Sequence, residues 1–259
     1  RRSRRFVRCM AGIMPGSEKT IIHHPMKYDF EDYRADINTS NYMVSKLLAK
    51  NTGQCHSMPL LFLILAEELE TEAFWCFSPS HSFIKFQDKQ NRWYNIELTQ
   101  GAVVTDNFYM NSGFIKSKAI QTGIYLNPRT MKQTIAHMLN DLSAYYISRY
   151  GYDHFIEENS NLVLRYSPSD LTAYQHYANI CTVQAQYVID ACGRPPKEQL
   201  PEYPQAHRLF KKMLQSYEKI DSLGYEEMPA EIYHNWLKQV DKAKTLPENQ
   251  PSPIIQIKK

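Results

Sequence analysis

The chain has 259 residues, 43% hydrophobic and 22% charged, with a net charge of +3. That is enough chain for one large domain or two modest ones with a buried core. The near-neutral balance gives no reason to expect a nucleic-acid partner, and no apolar run reaches the ~20 residues a membrane-spanning helix needs.

Residues 1–39 read as an N-terminal arm and lead-in. Arg1, Arg2, Arg4, Arg5 and Arg8 form its basic cluster, expected to be solvated. The sequence opens on Arg1, so the compartment stays open. An exported, periplasmic location is favoured over a cytoplasmic one. The five cysteines are odd in number and irregularly spaced, which excludes a disulfide framework. Cys76, Cys181 and Cys192 lie in apolar stretches and read as small core residues.

A helix is expected over 40–50, with Ser40 or Asn41 as cap and Met43, Val44, Leu47 and Leu48 as its apolar stripe. Asn51, Thr52 and Gly53 end it. A second helix starts near Cys55–His56. Pro59 falls in its first turn, where a missing N–H is harmless. Leu60 through Leu65 is apolar all round, so this helix should be buried on all sides. The period then changes to that of strands at 73–77, 81–87 and 92–98, with DKQN (88–91) as a turn. Trp93, Asn95 and Glu97 share one strand face; Tyr94, Ile96 and Leu98 share the other.

Residues 131–245 read as helical and rich in Tyr. TMKQTIAHMLNDLSAYYISRY is a long amphipathic helix. Two later segments, 161–180 and 212–240, each suggest a helix pair of tetratricopeptide type, whose period is about 34 residues. Tyr174, Tyr177, Tyr187, Tyr217, Tyr225 and Tyr233 then pack between helices. Residues 246–259 read as a loose tail.

The chemistry centres on Cys55. A thiol is a good nucleophile only as thiolate, and both a helix N-terminus and a neighbouring imidazolium lower its pKa. His81, at the start of a strand, can supply the imidazolium. A histidine in that role needs an acid or amide to hold its tautomer. If residues 89–90 centre the hairpin, His81 lies opposite 97 or 98. Glu97 is then in reach, and Asn95 on the same face is the alternative. The result is a nucleophile–base–orienter set.

The words TGQCHSMPLLFLILAEEL, SHSFIKF and RWYNIELT resemble the transglutaminase-like superfamily of papain-like cysteine-protease folds. The family's Gly-x-Cys opens its core helix, its His lies on a strand, and Trp-x-x-x-Asp-x-Thr follows on the next. Trp93, Glu97 and Thr99 fall on that last pattern, with Glu where the family has Asp. The resemblance covers roughly residues 40–130. The helical remainder resembles bacterial members with appended tetratricopeptide-like helices. It implies an α+β fold, with a papain-like core of buried helix against antiparallel sheet at 40–130 and a helical region at 131–245. It implies Cys55 as nucleophile, His81 as general base, Glu97 as orienting acid, and the Cys55 N–H in an oxyanion hole, with Gln54 as a candidate second donor. His56 stands where true transglutaminases carry an aromatic residue, so hydrolysis is better supported than transamidation.

Against these stand plainer readings. Cys55 could fill core space, His81 could cap a loop and Glu97 could be solvated. His56 and the pair His23–His24 lack the spacing of a zinc site, so no metal is expected, and His56 is read as a cleft-lining residue. No Gly-rich phosphate loop occurs, so no nucleotide cofactor is expected. The resulting expectation is a cysteine hydrolase or acyltransferase acting on a peptide or protein substrate without cofactor. The alternative is an inactive core whose helical region binds a protein partner.

Overall fold

The computed structural model of the protein describes residues 13–14, 21–22, 26–111 and 114–244. The arginine cluster, the His23–His24 pair and the tail from 246 lie outside these residues. The protein is α+β, with a four-stranded antiparallel sheet and many helices. It forms two compact units, divided after residue 112 and again after residue 226. The first unit is thus built from both sides of the chain and the second from its middle. The expected division falls between residues 130 and 131.

In the first unit, two short strands, β1 (Ile13–Met14) and β2 (Ile21–Ile22), pair with each other. Strand β3 (Lys27–Tyr28) pairs in parallel with β4 (Thr52–Gly53). Between them the expected 40–50 helix is in two parts. A 3₁₀ turn over Thr39–Tyr42 is capped by Asn38, whose side chain accepts the Ser40 N–H. Helix α1 (Val44–Lys50) follows and ends at Asn51 in the left-handed region, φ 52°. The cap lies two residues earlier than Ser40 because Asn38 offers its carbonyl oxygen to both the amide and the hydroxyl of Ser40.

Helix α2 (Ser57–Glu68) is buried from Ser57 through Leu63. Leu60, Phe62, Leu63 and Ala66 pack on Trp75, Ile84 and Ile96 of the sheet. Met58 and Leu61 pack instead with Tyr28, Leu47, Tyr233 and Leu237. The expectation of burial on every side fails at Ile64, which is 48% exposed. An all-apolar helix needs cover on every face only where neighbours exist, and here one stripe meets water.

The sheet runs β5 (Phe74–Ser78), β6 (His81–Gln87), β7 (Trp93–Glu97), β8 (Ala102–Val104) in sequence order. Ile84 pairs with Ile96 and Lys85 with Asn95. The hairpin is therefore centred on residue 90, and the expected register is corrected. The cause is Asn91, which adopts φ 58° and adds a third loop residue between Asp88 and Arg92. Asp88 fixes that loop by accepting the Gln90 and Arg92 amides. Short helix α3 (Asp106–Met110) covers the sheet face opposite α2: Tyr109 stacks on Phe83 at 3.8 Å, and Asp106 bonds Lys85 and Asn95.

The second unit opens with α4 (Ser117–Gln121), followed by α5 (Met131–Tyr150), α6 (His154–Tyr166), α7 (Leu171–Ala191) and α8 (Pro204–Ser222). Each of α5 to α8 packs on the next. Thr130 and Gln133 form a capping box at the start of α5, and Asp153 and Asp170 cap α6 and α7. Asp170 is fully buried and holds Arg129, His137 and Asn140 in one polar cluster. Cys181 is buried here, whereas Cys192 is only half-buried at the end of α7.

Helix α9 (Ala230–Lys244) belongs to the first unit. The 212–240 segment, read above as one helix pair, is therefore divided between the units. Tyr233 and Leu237 bury themselves with Tyr28, Leu47 and Leu61, a destination that helical period alone does not encode.

Candidate active site

Cys55 lies on a tight turn that joins β4 to α2. Gly53 is there because space demands it: a Cβ would meet Ser57 Oγ at 2.7 Å and Leu47 Cδ1 at 3.0 Å. The Gln54 amide donates to Ser57 Oγ at 3.2 Å, and Met58 N–H donates to the Gln54 carbonyl. Helix α2 begins at Ser57, so Cys55 stands two residues before the first helical residue rather than within it. Its thiol is half-buried and its carbonyl accepts the Ser82 hydroxyl, which itself accepts Trp75 Nε1–H.

His81 opens β6 immediately after the two-residue Pro79–Ser80 loop, whose Ser80 has φ 55°. Its ring is buried and faces three partners. Nε2 meets Glu97 Oε2 at 2.7 Å. Nδ1 meets the Tyr233 hydroxyl at 3.1 Å. The Cys55 thiol is close enough for its charge to act on the ring. Trp236 packs edge-on against it with centroids 4.9 Å apart.

Three positions beyond the last pair, the β6–β7 register sets His81 opposite Thr99, which makes Glu97 a diagonal neighbour on the same face. The longer Glu arm spans that diagonal. Glu97 is fully buried, and its carboxylate also accepts the Tyr109 hydroxyl at 3.0 Å and the Thr99 N–H at 2.9 Å.

The electrostatics favour a charged pair. Burial works against the Cys55 thiolate, but the His81 charge, the Tyr233 hydroxyl and the Ser82 amide together hold the thiol below its ordinary value. Burial likewise opposes the His81 cation, but Glu97 and Cys55 push its pKa up to about 10. For Glu97, burial is overcome by His81 and Thr99, and the carboxyl sits below its usual range. Burial raises Tyr233 well above the ordinary phenol value, with Cys55 adding to the rise, so its hydroxyl stays neutral and can donate.

The remaining sequence candidates fall elsewhere. The Gln54 side chain accepts the His56 N–H at 2.6 Å, within its own turn. His56 is wedged edge-on between Tyr42 and Trp75 and packs rather than lining an open cleft. Asn95 bonds Asp106 and makes no bond to His81; Glu97 alone orients the ring from β7. Tyr233, read from its spacing as a packing residue, instead puts its hydroxyl 3.7 Å from Cys55 Sγ. No signal within helical periodicity could separate it from the other tyrosines.

Beside His81 a cavity of about 260 Å³ opens between α3 and α9, walled by Phe108, Tyr109, Ile232, Tyr233 and Trp236. Among the described residues that line it, none is Asp, Glu, Lys or Arg. No group of three or more His, Cys, Asp or Glu among the described residues is arranged to hold a metal ion. Nor is any described helix long and apolar enough to cross a membrane. Set against protein-family models, curated proteins and solved structures, the chain has no match.

Proposed function

We propose that the protein is a cysteine hydrolase or acyltransferase of peptide or amide bonds, with a core of transglutaminase-like, papain-like type. The observation that carries this is the unbroken chain of hydrogen bonds from Glu97 through His81 and the Tyr233 hydroxyl to Cys55. A cysteine filling core space has no use for a buried imidazolium beside it.

The chemistry follows from the geometry. The Cys55 thiolate attacks the carbonyl carbon; the S–C bond forms and the oxygen becomes an oxyanion. His81 delivers its Nδ1 proton to the departing nitrogen, the C–N bond breaks, and an amine leaves. A water or a second amine then adds to the thioester, giving its proton to His81, and the acid or new amide is released with Sγ restored. Glu97 stays ionised throughout and fixes the ring. The largely aromatic cavity that His81 helps to line is smaller than the roughly 300–1,000 Å³ of sites for drug-sized ligands. It suits a single apolar or aromatic side chain of the substrate.

The test is the rate of Cys55 alkylation by iodoacetamide from pH 4 to 9, in wild type and His81→Ala. A wild-type rate that titrates at the ordinary thiol value of roughly 8.5, unmoved by the substitution, would sink the proposal. The second reading, an inactive core with a partner-binding helical unit, draws on exposed tyrosines such as Tyr150 and Tyr187, at 69% and 77%. The same experiment separates the two, because an inactive core gains nothing from an acidified thiol.

A further inference from the structure

We infer that the Tyr28 hydroxyl is the side-chain donor of the oxyanion hole, a role that rests on the hydrolase reading above. A papain-like site needs two donors aimed at the developing oxyanion, and a helix-entry N–H supplies only one. Gln54, the residue next to the nucleophile, has its side-chain oxygen tied to the His56 N–H, within its own turn. That bond fixes the amide within the turn, and a second donor is also offered by another segment.

Strand β3 brings one. Tyr28 pairs with Gly53, two residues before Cys55, and the Lys27 and Asp29 amides donate to the Asn51 and Gly53 carbonyls on either side. This short parallel ladder fixes Tyr28 against the nucleophile's turn. The ring is 5% exposed and packs in the cluster that also holds Tyr233, Met58 and Cys55. Its hydroxyl is buried and completes no hydrogen bond, although it stands near enough to the Cys55 thiol and the Tyr233 hydroxyl for both to act on its proton. Burial, then the Cys55 charge, keeps the phenol protonated, so it is a donor at every working pH.

A buried hydroxyl without a partner calls for a physical reason. Here the partner forms during the reaction. When Sγ bonds to a carbonyl carbon, the oxyanion appears one bond from that carbon, beside a neutral phenol that is already desolvated and held in place. Such a donor strengthens as charge develops and needs no reorganisation. The thiol itself is acidified chiefly by His81, Tyr233 and Ser82. The Tyr28 hydroxyl, which feels the Cys55 charge, is not among the chief of them.

The experiment uses two reactions of one thiol in the full chain. Alkylation by iodoacetamide is a displacement at saturated carbon and forms no oxyanion. Acylation by p-nitrophenyl acetate forms one: Sγ bonds to the acyl carbon, the C–O bond breaks and p-nitrophenolate leaves. For Tyr28→Phe the alkylation rate stays within about twofold of wild type, which also reports an intact site, and acylation falls about 10²-fold or more. Equal acylation rates in the two proteins would overturn the role of Tyr28 and leave the hydrolase reading standing. A wild-type thiol that alkylates quickly but never acylates would overturn both. A parallel fall in both reactions would make Tyr28 a support of the thiolate, and the oxyanion role would be wrong.

Discussion

The Tyr233 hydroxyl lies 3.7 Å from the Cys55 sulfur and 3.1 Å from His81 Nδ1, so one phenol bridges nucleophile and base. It can accept from the imidazolium and donate to the thiolate at once, which stabilises the charged pair in the resting state. Tyr233→Phe keeps the ring that packs on Tyr33 and Trp236 and removes only the hydroxyl. The expected outcome is an upward shift of the Cys55 titration, read by iodoacetamide alkylation against pH, with an unchanged melting temperature. A thiol titration identical to wild type would mean that Tyr233 only packs.

Removing Glu97 leaves the buried His81 cation without its partner. Glu97→Ala is expected to cost about 3–5 kcal/mol, the range for breaking a buried ion pair from one side. The pH dependence has a sign. His81 is pushed up to about 10, so its contribution is complete below the unfolded value of roughly 6.5 and fades as pH rises through about 10. Glu97 is lowered, so its contribution is complete above roughly 4.3 and fades as pH falls through its folded value. The stability gap between wild type and variant, measured by urea denaturation, should be widest between these two values and shrink toward pH 10. A gap that is flat with pH would contradict the buried charged pair.

Gly53→Ala drives a methyl into Ser57 Oγ and Leu47. Overpacking of this kind costs about 1–3 kcal/mol. It should also disturb the Gln54–Ser57 turn, so Cys55 alkylation slows along with the loss of melting temperature. Retention of both wild-type values would show that the turn relaxes freely.

In the second unit, Asp170→Ala removes the buried carboxylate that Arg129 and His137 share. A loss of about 3–5 kcal/mol is expected at neutral pH. Burial opposes the Asp170 charge, but His137 and Arg129 hold the carboxyl well below its ordinary value. Its contribution is therefore present above roughly 3.9 and disappears only in stronger acid. Denaturation of the variant at pH 7 matching wild type would refute the cluster's role.

The local elements were legible because each has a local cause. The apolar run of α2, the alternation in β6 and β7, and the polar DKQN turn all follow from period and turn chemistry. The meeting of His81 and Glu97 depended on a single loop residue. With a two-residue loop centred between 89 and 90, His81 and Glu97 would project from opposite faces. The left-handed Asn91 lengthens the loop by one and returns them to one face. Sequence counting named the right neighbourhood with the wrong register. Tyr28 and Tyr233 were not legible as site residues at all. One depends on a two-rung parallel ladder and the other on a helix that returns across the whole second unit's length of chain. Neither pairing leaves a periodic trace.

That return of α9 ties chemistry to synthesis. Cys55 and Tyr233 are 178 residues apart. At a translation rate of 5–20 residues per second, the ribosome needs about 9–36 s to pass from one to the other. Once Glu97 has been added, and until α9 is made, the nascent chain carries the nucleophile, the base and the acid but neither the bridging phenol nor the Trp236 wall. A chain interrupted in its middle would expose an unfinished thiol, so full reactivity reports that translation has passed α9.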